Sequence, residues 1–273
     1  MNIQEIVSIL VSAGIEPNES AKEVKMLIEH FCNYSTKDII MGKPLDYEKL
    51  KVVKQKAELR AKTRQPIQYI IGSAYFMGNL YKVTPSVLIP RDETEIVVSN
   101  AINIINKNSL KTILDIGTGS GCIACTVSER CKCSVTATDI SEKALNIAKT
   151  NSENLFQKIE FIQSDLFEKL DNKKYDMIIS NPPYIPKGTT LQKEVQFEPK
   201  TALYTNDSTG CEFYEKIIEQ GKNHLNKNGF IVFELGINES EQVKLSFEKN
   251  GYTNILIEKD LAGIDRVISA QIS

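Results

Sequence analysis

A chain of 273 residues, 41% hydrophobic and 25% charged, has the composition of a soluble globular protein with room for one large domain or two unequal ones. A formal net charge of −2 excludes a fold drawn to nucleic acid by its overall charge, although a local basic patch stays open. No apolar run approaches the ~20 residues that cross a bilayer. Met1-Asn2-Ile3-Gln4-Glu5 also lacks the basic-then-apolar layout of a signal peptide, so a cytoplasmic protein without membrane contact is expected.

The first 65 residues read as helices. Asn2 to Ala13 carries Ile3, Ile6, Val7 and Leu10 at helical spacing, with Gly14 as a stop. Ser20 is the expected cap of a second helix whose apolar stripe is Ala21, Val24, Leu27, Ile28 and Phe31. Asp46 opens a third, long helix that ends before Pro66. From Gln65 the pattern changes: Gln68–Gly72, Tyr75–Met77 and Leu80–Val83 read as short strands joined by Gly-containing turns. The expected organisation is a helical domain over 1–65, a hairpin and linker over 66–95, and a third region over 96–273.

That third region alternates strand and helix. Candidate strands are Thr112–Ile116, Ser134–Asp139, Ile159–Ile162, Met177–Ser180, Phe230–Glu234, Ile255–Glu258 and Val267–Gln271. Helical patterns include Ser141–Asn151, Cys211–Leu225 and Glu239–Lys249. Apolar strands alternating with helices predict an α/β fold, a mostly parallel sheet covered on both faces. Lys259 to Arg266 leaves no room for a helix, so the last two strands are expected to pair antiparallel.

Leu114-Asp115-Ile116-Gly117-Thr118-Gly119-Ser120-Gly121 follows a strand and opens a helix. Glycines there let the backbone turn tightly and approach a ligand, and a helix N-terminus attracts negative charge. Asp139 ends the next strand about twenty residues on, where a carboxylate accepts hydrogen bonds from ribose hydroxyls. That spacing suits NAD as well as S-adenosylmethionine. The G-x-G-x-G run, and an acid (Asp165) beside Leu166 after the third strand, favour the adenosyl cofactor.

Asn181-Pro182-Pro183-Tyr184 follows the apolar run Met177–Ser180. Two prolines make a stiff extended backbone, and the asparagine offers a side-chain oxygen. The Asn181 oxygen and the Pro182 carbonyl together suit both hydrogens of an -NH2 group, with Tyr184 stacked on the planar group. An amide nitrogen is a poor nucleophile, so such a site works by orientation and by acceptor dipoles aimed at developing positive charge. No metal is expected. Cys122-x-x-Cys125 and Cys131-x-Cys133 have a zinc-like spacing, but the first pair falls in a helix and the second borders a strand, where cysteine serves as a small hydrophobe.

On these motifs the chain resembles the peptide chain release factor glutamine methyltransferases. The resemblance runs over nearly the whole chain, through Gln65–Gly72, Ile89-Pro90-Arg91-Asp92-Glu93-Thr94-Glu95, the Gly117–Gly121 loop, Asn181–Tyr184, Phe197-Glu198-Pro199 with Ala202-Leu203, and Asp260–Arg266. It implies a class I S-adenosylmethionine-dependent methyltransferase fold, Rossmann-like with seven strands, behind a small N-terminal helical domain. It implies methyl transfer to the N5 nitrogen of the Gly-Gly-Gln glutamine in class I release factors, which tunes translation termination, with S-adenosylhomocysteine as product. By the same resemblance Gly117, Thr118, Gly119, Ser120, Gly121, Asp139, Leu166 and Asn181 bind the cofactor, and Asp165 joins them on the reading of the third strand's end given above. Asn181, Pro182, Pro183 and Tyr184 hold the substrate, with Asn181, Pro182 and Tyr184 in the catalytic role, and residues 1–65 dock the release factor. The chain departs from the family at Leu166, often aromatic there, and at Asn238, often glutamine.

A ribosomal-protein glutamine methyltransferase shares this chemistry. A DNA or RNA adenine-N6 methyltransferase also holds a planar amino group, but it normally adds a basic recognition domain, which the Glu/Lys-balanced first 65 residues do not supply. A non-catalytic adenosyl- or dinucleotide-binding module needs no Asn181–Tyr184 loop. The expectation is a monomer with the release factor as partner and no direct nucleic-acid contact.

Overall fold

The computed structural model describes residues 2–273; Met1, at the head of the segment read above as lacking a leader, lies outside them. The chain divides into two compact units, one running up to Ser73 and including Leu191–Phe197, the other formed by Ala74–Thr190 and Glu198–Ser273.

In the first unit, helix α1 (Ile3–Ser12) is capped by the Asn2 side chain, which accepts from the Glu5 N–H. Helix α2 (Pro17–Cys32) starts earlier than expected: Glu16, not Ser20, supplies the cap, because Pro17 is preset for the first helical position. Ser20 lies buried inside the helix and donates its hydroxyl to the Ile15 carbonyl at 3.2 Å. A short helix α3 (Thr36–Ile40), not anticipated, is held by a Ser35/Asp38 capping box, and α4 (Tyr47–Thr63) begins at Asp46 as expected. Gln68–Gly72 is not a strand. It belongs to helix α5 (Ile67–Ile71), framed by Pro66 and by Gly72 in the left-handed region, and it brings Ile67, Ile70 and Ile71 onto the core formed by Ile6, Leu10, Val24 and Val53. Within this unit the buried Arg60 guanidinium donates to both oxygens of buried Glu23 at 2.9–3.1 Å and to Glu194 at 3.0 Å.

The second unit takes up the chain at Ala74, within the hairpin of β1 (Ser73–Phe76) and β2 (Asn79–Lys82). Phe76 and Tyr81 of this hairpin are buried in one cluster with residues of the sheet, so the 66–95 stretch is not a separate linker. Helix α6 (Asp92–Asn108) likewise starts before residue 96. The chain then continues through β3 (Thr112–Ile116), α7 (Cys122–Arg130), β4 (Ser134–Asp139), α8 (Glu142–Asn154), β5 (Ile159–Gln163) and β6 (Tyr175–Ser180). It ends with the short α9 (Lys200–Leu203), α10 (Glu212–Gly221), β7 (Leu225–Glu234), α11 (Ser240–Lys249), β8 (Tyr252–Lys259) and β9 (Asp265–Ile272). The helix expected over Cys211–Leu225 stops at Gly221, and Leu225 already pairs with Tyr175 in the sheet.

The seven strands lie in the order β5-β4-β3-β6-β7-β9-β8. The first five are parallel, and β9 runs antiparallel to both β7 and β8. Strand periodicity explains the apolar runs: Ile113, Met177, Ile179 and Val232 bury on one face, and Leu114, Ile178, Ile231 and Phe233 on the other. Because β4 and β5 lie on one side of β3 and β6 on the other, the order reverses at the β3/β6 boundary, where such sheets bind ligands beyond their carboxyl ends. No helix among the described residues is long and apolar enough to cross a membrane.

Candidate active site

A cavity of about 730 Å³ opens at that boundary. Gly117, Gly119, Asp139, Asp165, Leu166, Asn181, Pro182 and Pro183 all line it, so the two motifs singled out in the sequence meet in one space. Thr118, Ser120, Gly121 and Tyr184 are not among its walls. Thr118 instead gives its hydroxyl to buried Asp115 at 2.6 Å, and the Ser120 carbonyl accepts from Asn151 Nδ2 at 2.8 Å. Gly121 sits at φ +80°, and a Cβ there would stand 3.0 Å from that of Ala148, so its role is close packing of α7 on α8.

The loop is pinned from below by the Gly117 and Thr118 N–H groups, both 2.9 Å from the Thr138 carbonyl. A Cβ built on Gly117, at φ +72°, would meet no protein atom within 4 Å, so the glycine leaves cavity space that a side chain would fill. Asp139 is fixed at the wall: Oδ2 accepts from the Gly119 N–H at 2.9 Å and Oδ1 from the Ser141 N–H at 2.8 Å. Burial raises the Asp139 carboxyl above its ordinary range, and those two N–H groups oppose the rise. Each oxygen keeps a second lone pair for a ligand hydroxyl. A fixed acid, a glycine cradle and the apolar neighbours Ile140 and Leu166 fit an adenosyl group. Leu166, at φ +46°, and Asn238, at φ +68°, both lie in the left-handed region; asparagine tolerates it better than most residues, which gives the second family departure a local reason.

At the other end, the Ser180 hydroxyl donates to the Ile116 carbonyl at 2.7 Å and ties the end of β6 to that of β3. Asn181 comes next. Its Nδ2 donates to Thr94 Oγ1 at 3.2 Å, and the Thr94 hydroxyl donates to Glu234, the last residue of β7. Burial pushes the Glu234 carboxyl up to about 7, opposed by the Thr94 hydrogen bond and reinforced by Glu93. Tyr184 packs against the Leu114–Ile178 face of the core, and burial raises its phenol well above the ordinary value. The loop continues into Ile185, whose N–H donates to the Leu203 carbonyl and whose carbonyl accepts from the Thr205 N–H. Two more of the sequence markers meet here: Glu198 accepts from the Ile89 N–H at 3.1 Å and pairs with Arg91.

Several residues at or near the cavity carry no motif signal in the sequence. Thr94 and Glu234 stand in the sequence only as motif and strand residues, and Ile140, Ser141 and Ala144, which line the cavity beside Asp139, belong to no motif. None of the cysteines lines this cavity. Cys122, Cys125 and Cys131 are buried, burial pushes the Cys122 thiol up to about 12, and no group of three metal-ligating side chains occurs among the described residues.

The family model "Methyltransferase small domain" matches residues 94–198. A release factor glutamine methyltransferase of Fusobacterium nucleatum is 40% identical over 245 residues, spanning 88% of this chain and 69% of that protein. One of Bacteroides thetaiotaomicron is 36% identical over 266 residues, spanning 94% of each. Among solved structures, a methyltransferase from Pyrococcus furiosus has the same fold, with a TM-score of 0.51 at 22% identity over 70% of this chain and 87% of that one.

Proposed function

The chain belongs to the release factor glutamine methyltransferases, and from that premise we propose the following activity. It transfers a methyl group from S-adenosylmethionine to the N5 amide nitrogen of the Gly-Gly-Gln glutamine in class I peptide chain release factors: the sulfur–methyl bond breaks as the nitrogen–methyl bond forms, leaving S-adenosylhomocysteine, and one amide proton passes to water. The observation that carries this reading is that Asn181 and Pro182 share one cavity with Gly117, Gly119 and Asp139.

Bound S-adenosylmethionine supplies an electrophilic methyl on a sulfonium sulfur. Gly117 and Gly119 give it backbone-width clearance, Asp139 accepts from its ribose hydroxyls, and Asp165 with Leu166 receives the adenine. Asn181 Oδ1 and the Pro182 carbonyl accept the two N–H bonds of the glutamine amide. Holding both hydrogens turns the nitrogen so that its out-of-plane lone pair faces the methyl. The same two acceptor dipoles then lie against the positive charge that grows on nitrogen, already oriented before the reaction begins. Pro182 and Pro183 keep the loop from rearranging under that load. Tyr184 adds an aromatic wall behind the loop, and the helical unit docks the release factor. The working unit is a cytoplasmic monomer.

The test is incubation with a purified release factor and methyl-labelled S-adenosylmethionine. Label on the factor, lost when the Gly-Gly-Gln glutamine is replaced by alanine, is the expected result. Label found instead on a ribosomal-protein glutamine or on adenine in nucleic acid would overturn the substrate assignment.

A further inference from the structure

Three polar side chains from three separate elements form a line that ends at the cavity. Thr94, in the first turn of α6, and Glu234, at the end of β7, are 3% and 1% exposed. Asn181, just past β6, lines the cavity. Asn181 Nδ2 lies 3.2 Å from Thr94 Oγ1, and the Thr94 hydroxyl is hydrogen-bonded to Glu234 Oε2.

Proton counting sets the direction of this line. An ionised carboxylate only accepts. Thr94 has a single O–H, and once that is given to Glu234 its oxygen has only lone pairs left for Asn181. The end of the Asn181 amide that faces Thr94 is therefore the NH2, and Oδ1 is the end turned away from it. The two ends of an amide have nearly the same shape, so packing does not choose between them; hydrogen-bond partners do. We propose that Thr94 and Glu234 are positioning residues that lock the Asn181 amide with Oδ1 toward the methyl acceptor. This rests on the proposed function, in which Asn181 receives an N–H of the substrate.

The alternative orientation would present an NH2 to the substrate's own NH2, donor against donor. Glu234 never reaches the substrate; it acts through Thr94. Arg266 and Arg91 favour its ionised form, and Glu93 and burial oppose it. Assays at about pH 8 hold it ionised, above its raised value of about 7.

Thr94→Val keeps the shape and removes the hydroxyl, and Thr94→Ser restores it. Presenting Oδ1 in Thr94→Val would bury an unsatisfied NH2, so kcat is expected to fall roughly tenfold to a hundredfold. The Kd for S-adenosylmethionine should stay within about threefold of wild type, since Thr94 itself does not line the cavity, and Thr94→Ser should recover most of kcat. A second readout needs no substrate, and so separates failure of this inference from failure of the proposed function. In the amide NMR spectrum, the Asn181 side-chain NH2, identified by its loss in Asn181→Asp, should show one proton protected from exchange with water in wild type and none in Thr94→Val. A folded Thr94→Val enzyme with wild-type kcat would overturn the proposal. So would a wild-type spectrum in which both Asn181 amide protons exchange at solvent rates, whether or not any Thr94 variant folds.

Discussion

The two ends of the cavity are built differently. At the end proposed for the cofactor the main chain shapes the wall: Gly117 and Gly119 leave room by lacking side chains, and Asp139 is held by two backbone N–H groups. At the end proposed for the substrate a side-chain amide must point the right way, and the proposed device is the hydrogen-bonded line from Thr94 and Glu234. A backbone site is written in consecutive residues and tolerates change around it. An oriented amide is written in three distant places and fails if any one is lost.

The sharpest way to break that contrast is Asn181→Ala. Losing an aimed acceptor should cost about 10²–10³ in kcat, with cofactor affinity within a few-fold by calorimetry. Near-normal turnover would mean that the amide is oriented by something else. Asp139→Ala should show the reverse pattern, a Kd for S-adenosylmethionine weaker by roughly 10- to 100-fold, as for loss of hydrogen bonds to a charged group, with much of kcat retained at saturating cofactor. Unchanged calorimetry would remove Asp139 from the site. Gly121→Ala probes the rigidity of the backbone end. A left-handed φ and a Cβ 3.0 Å from that of Ala148 should cost about 1–3 kcal/mol in urea denaturation. No loss would show that the start of α7 shifts freely.

The smallest expected effect concerns pH. Burial raises Glu234, Glu239 and Asp115 each to about 7. A group raised in the fold stabilises fully below its unfolded value, and that contribution is lost as pH climbs through its folded value. Conformational stability should therefore fall from about pH 4.5 toward pH 7 as the unfolded chain releases these protons first. Glu239→Gln, which keeps an acceptor for the Gly236 N–H, should flatten part of that decline. An unchanged slope would show that Glu239 titrates alike in both states.

Most of the sheet was readable because its central strands are buried on both faces, which makes Met177–Ile179 and Phe230–Phe233 continuous apolar runs with clear ends. Gly117–Gly121 and Asn181–Tyr184 stand out in the sequence because each motif is contiguous. The misreadings were local contests decided by packing or caps. Gln68–Gly72 has strand-forming Tyr and Ile, yet Pro66 and Gly72 frame a helix and the core rewards its apolar face. Pro17 outranked Ser20 as the start signal of α2. Thr94 and Glu234 left no readable sign of their partnership, because a hydrogen bond across 140 positions has no local pattern. The one available hint was an acid closing the otherwise apolar run Phe230–Phe233.

The most direct measurement is a co-crystal structure with S-adenosylhomocysteine and a peptide carrying Gly-Gly-Gln. The account predicts the glutamine amide nitrogen within hydrogen-bonding distance of both Asn181 Oδ1 and the Pro182 carbonyl, its face toward the sulfur, with Asn181 Nδ2 still on Thr94. A glutamine bound elsewhere in the cavity, or an Asn181 amide no longer engaged with Thr94, would contradict it.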